Sequence, residues 1–461
     1  MGLISEAVLK HVPIRASLES LSQAFADYPC AVDFQVRLWD GTTWGSTEKP
    51  RFTLIVKHPY ALRQMFLSPS ELGIGESYIK DDFDVQGDLE AAVGMGDYLL
   101  AQERRALPAS LRIASFLQRL PVRTQDGDLR VPEELPGSLH SRVRDRGAIG
   151  YHYDLPPEFF ALWLDQQRVY SCAYFESKDC DLDTAQQHKL DYICKKLRLH
   201  RGERLLDVGC GWGGMMLHAA ANYGVQVLGI TLSIRQAEVA RQRILQLGLN
   251  DHCRVEVCDY RDLELDEQFD KIISIGMYEH VGEAQLPEYF FRMWRLLRPR
   301  GVFVNTGISA SATYRRRGPS FIDRYVFPDG EIVPLSTSLR AAETCNFEVR
   351  DVENLREHYA LTLRHWVRRL EANAAEAERL TGARTYRIWR LYMAASAHAF
   401  ESGRLNLCQT LLVKPLRGDS GLPLTRSDWY FHEKRSVLSF PHHDGTEDDA
   451  NSPQITMDRA A

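Results

Sequence analysis

Residues 205–214 read LLDVGCGWGG. Leu205, Leu206 and Val208 surround a single aspartate, Asp207, and glycine then recurs at 209, 211, 213 and 214. The first half predicts a buried strand, and the second a sharp turn that opens a helix in GGMMLHAAANYG. Glycine is needed where the backbone bends tightly or a ligand approaches it closely, because a Cβ obstructs both. In open α/β sheets the carboxyl end of a strand is where ligands bind. The turn is read in the order Asp-x-Gly-x-Gly, and no Walker lysine follows, so a P-loop is not present here.

Outward from this turn the pattern alternates. TAQQHKLDYICKKLRL precedes it with helical periodicity. After it, VQVLGIT reads as a strand and IRQAEVARQRILQLG as a helix, and further strands follow in CRVEVCD, KIISIGM and GVFVNTG. Apolar strands alternating with helices predict a parallel sheet covered on both sides. The second strand ends at Thr231-Leu232, with Gln236 one helical turn on, where nucleotide-binding folds often carry a ribose-binding acid. The third ends at Asp259-Tyr260, where an aromatic beside a polar group suits an adenine ring.

The rest of the chain has a different texture. Residues 31–90 are strand-rich, through VDFQVRLWDGTTW and RFTLIVKH, and residues 89–125 read as helical. Within the latter, residues 108–120 interleave Leu111, Ile113, Phe116, Leu117 and Leu120 with Arg112 and Arg119. This is either a basic amphipathic helix for a membrane surface or a packed helix with its arginines in water. GDLRVPEELPGSLHSRVRDRG is polar and charged, as in a linker or cover segment. The division expected is 1–125 for a smaller N-terminal domain, 126–150 for a linker, 151–440 for a catalytic domain and 441–461 for a disordered Asp-, His- and Ser-rich tail.

With 461 residues the chain is long enough for two domains. A net charge of −6 gives no support to nucleic-acid binding, and no apolar run reaches the length of a membrane span. Nine scattered cysteines without a CxxC pair argue against a zinc site or a disulfide framework and fit a reducing compartment. A cytoplasmic protein in peripheral membrane contact is therefore expected. The basic clusters Arg104-Arg105, Arg142 to Arg146 and Arg315 to Arg317 are candidates for that contact, or ordinary solvated charge.

Further motifs narrow the family: YHYDLPPEFF from Tyr151, VYSCAYF around Cys172, GMYEHVG around Glu279, FIDRYVFPDG from Phe321, HYALTLRHW from His358 and CQTLLVK at Cys408. Together with LLDVGCGWGG, GITLS and Gln236, they resemble the cyclopropane-fatty-acyl-phospholipid and mycolic acid cyclopropane synthases over roughly residues 148–415. The resemblance implies a Rossmann-like class I methyltransferase fold of α/β type with a smaller strand-and-helix N-terminal domain for lipid or dimer contacts. It implies S-adenosylmethionine as the methyl donor, bicarbonate as an auxiliary anion, unsaturated phospholipid acyl chains as substrate, and a homodimer as an open alternative. By the same resemblance Tyr170, Ser171, Asp207, Gly209, Gly211, Thr231, Leu232, Gln236, Asp259 and Tyr260 would line the cofactor site. Cys172, Glu279, Tyr359 and the backbone at Ile308 would hold the anion. Cys172 also reads as a small buried apolar group, and Tyr359 as a packing tyrosine.

The implied chemistry explains such a set. An alkene attacking the activated methyl leaves a carbocation, so water must be excluded and aromatic faces are useful. Tyr151, Tyr153, Tyr170, Tyr174, Phe175, Tyr278 and Trp366 are candidates. The position of the base then decides between a cyclopropane ring and a methyl or methylene branch. One departure bears on this. Where the synthases carry a histidine, an ungapped match places Thr306, and a one-residue shift places Asn305. Neither supplies an imidazolium, so bicarbonate and ring closure are less secured than methyl transfer.

Overall fold

The computed structural model describes residues 33–46, 48–66, 70–102, 117–118, 120, 135–265, 268–313 and 320–430. The chain falls into two compact units. One gathers residues 1–163, 310–330 and 356–406, and the other residues 164–309, 331–355 and 407–461. Neither is one continuous stretch of chain.

The second unit is built on a seven-stranded sheet in the order β10-β11-β9-β8-β5-β6-β7. Its strands are β5 (Arg204–Val208), β6 (Gln226–Thr231), β7 (Cys253–Val257), β8 (Phe269–Ile275), β9 (Leu297–Ala310), β10 (Glu348–Asn354) and β11 (Leu405–Val413). Pairings β5–β6, β6–β7, β5–β8 and β8–β9 are parallel, and β10–β11 is antiparallel. The strands read as near-continuous apolar runs because both faces are covered. Successive side chains point to opposite faces. Leu205, Val227, Ile273, Val302 and Val304 accordingly enter one core with helix residues Leu190, Ile193, Leu217 and Ala237. Leu206, Leu228, Ile272 and Phe303 enter the other, with Tyr289, Phe290 and Met293. This is the expected α/β, Rossmann-like architecture.

The chain runs β5, β6, β7 toward one edge and then returns to place β8 on the other side of β5. The switch point between β5 and β8 is where such sheets open a ligand crevice. The register aligns the carboxyl ends there: Val208 pairs with Ile230 and Ser274, Ile230 with Glu256, and Ser274 with Asn305.

The first unit holds a four-stranded sheet, β2-β1-β3-β4, from Phe34–Arg37 (β1), Thr43–Gly45 (β2), Phe52–Val56 (β3) and Phe83–Gly87 (β4). The expected strand-rich N-terminal region is thus a sheet, with helices Pro59–Phe66, Glu71–Ile79 and Leu89–Gln102 in the same unit. Helices Arg356–Ala372 and Ala383–Glu401 also belong to it. Trp366 is fully buried against Trp163, which in turn packs on Trp389. Helix Arg142–Tyr153 runs through the end of the segment read as a linker, tied by Arg144 to Asp329 at 2.7 Å. The basic clusters at 104–105 and 315–317, nearly all of the basic amphipathic stretch at 108–120, and the 441–461 tail lie outside the described residues. No described helix is long and apolar enough to cross a membrane.

Candidate active site

At the end of β5 the backbone turns through Gly209, Gly211 and Gly213 at φ +85°, +54° and +87°. The carbonyl of Ile230 on β6 accepts the N–H groups of both Gly209 and Cys210 at 2.9 Å, which locks the turn to the neighbouring strand. A Cβ on Gly211 would meet nothing within 4 Å, so this glycine borders open space. Asp207 is 2% exposed, and its Oδ2 has no hydrogen-bond partner among the described residues. A buried carboxylate oxygen left bare is costly unless something completes it. Burial pushes the Asp207 carboxyl up to about 7, against the opposing pull of the Lys189 charge. An open glycine cradle beside a bare carboxylate fits the amino end of an amino-acid-bearing cofactor.

Thr231 closes β6, and its hydroxyl donates to Gln236 Oε1 at 2.8 Å. Ser233 caps the next helix by accepting the Gln236 N–H. Leu232 between them is half-buried. Asp259, expected among the cofactor ligands, accepts from its own neighbour Arg261 at 2.6 to 2.9 Å through backbone and guanidinium. Tyr260 is buried with its ring edge-on to Tyr289, centroids 5.4 Å apart.

Tyr170, Ser171 and Cys172 lie in a segment without regular structure that is fastened along its length. The Asp165 carboxylate accepts the N–H groups of Gln167 and Val169, each at 2.8 Å. Arg243 donates to the carbonyls of Gln167 and Trp212, joining this segment to the glycine turn. Gln186 donates to the carbonyls of Val169 and Ser171, and Lys189 Nζ to Ser171 Oγ at 2.9 Å. Cys172 is buried, its thiol 3.2 Å from the carbonyl of Ala173 and 3.8 Å from that of Leu355.

Beyond the strand next to β5, Glu279 sits in a single turn, Tyr278–His280, just after β8. Its Oε1 accepts the Ile308 N–H at 2.8 Å, and its Oε2 is buried without a partner among the described residues. Burial pushes this carboxyl up to about 7, opposed by the Ile308 hydrogen bond. The Tyr278 ring fills the space that a Cβ on Gly307 would need, and its hydroxyl donates to the Ile308 carbonyl at 3.1 Å. Thr306, two residues before Ile308 and so on the same side of β9, is buried with Oγ1 unpartnered. Its carbonyl accepts the Gly276 N–H.

The fold therefore brings Glu279 and Ile308 into direct contact, and sets Asp207 and Thr231 near the carboxyl ends of β5 and β6, with Thr306 inside β9 opposite Ile275, the last residue of β8. Tyr359 belongs to the first unit, in helix Arg356–Ala372, with its ring near Phe400 and Trp366 at 4.6 and 6.0 Å. Of the aromatic candidates, Tyr174 pairs with Tyr192 at 4.6 Å and Trp366 is core. Sequence reasoning missed Lys189, Asp165 and Gly307. The signal for Lys189 was its place at helical spacing from Leu182, Ala185, Gln186 and Ile193, all of which are buried.

The family model described as mycolic acid cyclopropane synthetase matches residues 140–410. The chain belongs to that family. It is an S-adenosylmethionine-dependent methyltransferase of the cyclopropane synthases, a family that acts on lipid double bonds. A second model, a domain of unknown function, matches residues 20–96. Among relatives, a probable fatty acid methyltransferase from Pseudomonas putida is 42% identical over 86% of this chain and 96% of its own length. The cyclopropane-fatty-acyl-phospholipid synthase of Escherichia coli K12 is 33% identical over 80% of this chain and 90% of its own. The solved mycolic acid cyclopropane synthase CmaA1, complexed with SAH and CTAB, is 34% identical with a TM-score of 0.54. That match covers 58% of this chain and 97% of the solved one.

Proposed function

We propose that this enzyme transfers a one-carbon unit from S-adenosylmethionine to the double bond of an unsaturated phospholipid acyl chain and closes a cyclopropane ring. The observation that carries the reading is the pair of bare, buried carboxylate oxygens on neighbouring parts of one sheet edge, at Asp207 and Glu279. When bound, the cofactor supplies an activated methyl group on a cationic sulfur. Gly209 and Gly211 admit its methionyl part, Asp207 receives the ammonium, and Tyr170, Ser171, Thr231, Leu232, Gln236, Asp259 and Tyr260 complete the contacts.

On the other side, Glu279, Thr306, Cys172 and the Ile308 backbone form the group that holds the proton acceptor. Bicarbonate is the acceptor proposed, and the bare Oε2 of Glu279 and Oγ1 of Thr306 are suited to it. An anion beside Glu279 favours its protonated form, in which Oε2 donates rather than repels. With the carboxyl pushed up to about 7, that form costs little near neutrality. The N-terminal unit is proposed to serve peripheral docking on the membrane from the cytoplasmic side, or a contact between two copies.

A second reading has its own support. Thr306 stands where an imidazolium is expected, and the P. putida relative bears the name fatty acid methyltransferase. In that reading the proton leaves the acyl chain and a methyl-branched alkene results, or a 1,2-hydride shift first moves the cation to the methylated carbon and loss of a methyl proton leaves a methylene branch. Purified enzyme with methyl-labelled cofactor and an unsaturated phospholipid separates the two. A labelled product that resists alkene reagents supports ring closure. A labelled product of equal mass that still reacts with them supports the branch. No label in lipid defeats both.

A further inference from the structure

Helix Ile234–Gln246 follows β6 and turns Gln236, Ala237, Ala240, Arg243 and Ile244 inward. Arg243 thus stands on the stripe of the helix where apolar side chains are the rule, and it is 5% exposed. Taking a guanidinium out of water is costly unless its donors are met. Its Nη1 donates to the Gln167 carbonyl at 2.9 Å and to the Trp212 carbonyl at 2.7 Å. Gln167 lies three residues before Tyr170, and Trp212 lies between Gly211 and Gly213. One buried side chain therefore spans two stretches that are distant in the sequence.

The same junction is close-packed. A Cβ on Gly213 would come within 3.3 Å of Ala240 Cβ, one helical turn before Arg243. A Cβ on Gly214 would meet Val169 Cγ2 at 2.8 Å and the Gln167 carbonyl oxygen at 3.0 Å. Asp165 fixes that partner by accepting the N–H groups of Gln167 and Val169.

Resting on the reading above that the glycine turn and Tyr170–Ser171 receive the methyl donor, we propose that Arg243 is a positioning residue that joins the two into one cradle before the donor arrives. Without it each stretch keeps fastenings of its own. Gln186 and Lys189 hold Val169 and Ser171, and the Ile230 carbonyl holds Gly209 and Cys210. What is lost is their mutual placement, which ligand binding must then restore, and affinity falls. The donor and its demethylated product share the methionyl and adenosyl parts, so both should feel the loss alike.

The test is calorimetric titration of the full chain with S-adenosylmethionine and with S-adenosylhomocysteine, for wild type, Arg243→Met and Arg243→Lys, together with amide hydrogen exchange. Arg243→Met should weaken both ligands about tenfold, as expected when the joined cradle falls to about a tenth of the molecules. Arg243→Lys, which keeps a cation but loses the planar fork, should fall between. In free Arg243→Met, residues 167–172 and 209–214 should exchange faster than in free wild type, and S-adenosylhomocysteine should return them to wild-type protection. Unchanged affinity in Arg243→Met overturns the proposal. So does faster exchange spread evenly over the second unit, the mark of a merely structural arginine. Should Arg243→Met fail to fold, Gly214→Ala presses on the same junction from the other side and keeps the arginine. It should weaken both ligands with the same two stretches loosened, and unchanged affinity there overturns the proposal. Wild type in which S-adenosylhomocysteine protects neither stretch sinks instead the reading of the cofactor site.

Discussion

Asp207 and Glu279 stand in similar places for opposite ends. Each follows or ends an apolar strand of the same sheet, each is buried, each has one bare oxygen, and burial pushes each carboxyl up to about 7. Their surroundings differ in kind. Asp207 ends beside a glycine turn open to ligand, with the Lys189 charge opposing the effect of burial, whereas Glu279 accepts the backbone N–H of Ile308. A nearby cation favours the ionised form, so Asp207 is prepared to meet positive charge. Among the groups that set its charge, Glu279 has no cation, so it is prepared to stay neutral and to tolerate an anion. The difference teaches that equal burial does not give equal chemistry: the partner across the gap decides it.

Glu279→Gln tests the neutral side and carries the largest expected effect. A carboxyl raised in the folded state supports stability fully below its unfolded value, near 4.5, and loses that support as pH rises through about 7. Wild type should therefore lose up to roughly 3 kcal/mol between pH 4.5 and pH 8 through this group. Glu279→Gln, which keeps the acceptor for Ile308, should remove that fall in denaturant unfolding measured across the range. Identical pH slopes for both proteins would show that Glu279 is ionised at no such cost, and the comparison breaks.

Asp207→Asn tests the charged side and should cost less. Above pH 8 it is expected to weaken S-adenosylmethionine binding by about tenfold, for one charge-assisted hydrogen bond lost. At pH 6, where wild type is itself largely protonated, the two proteins should differ little. Equal affinity at both pH values would mean that the carboxylate does not meet the donor. The smallest effect is expected from Thr306→His, which places an imidazolium near Glu279. Bicarbonate should then stimulate turnover at lower concentration, with the ring product favoured by roughly twofold to threefold, below 1 kcal/mol. A product ratio indifferent to the change would remove Thr306 from the proton-acceptor group.

Much of this was legible before any coordinates. LLDVGCGWGG declares a strand, a tight turn and a helix because each is a local matter of periodicity and of Cβ sterics. The five parallel strands β5 to β9 follow from apolar runs at regular spacing, and their aligned ends follow from the sheet they form. Asp207, Thr231 and Glu279 could be singled out because each is a polar residue closing an apolar strand. Lys189 was harder to find: its spacing from Leu182, Ala185 and Ile193 sets it on the apolar stripe of its helix, yet lysine in QQHKLDYICKK also reads as a solvated face until that helix is docked.

The sequence by itself determined the elements, their order and the type of residue at each strand end, since these depend on neighbours along the chain. Only the tertiary structure decided that Lys189 meets Ser171, that Ile308 donates to Glu279 29 residues away, and that residues 310–330 and 356–406 join the N-terminal unit. Such pairings are set by which apolar faces pack together, and the electrostatics of a buried group is fixed only by what the packing finally places beside it.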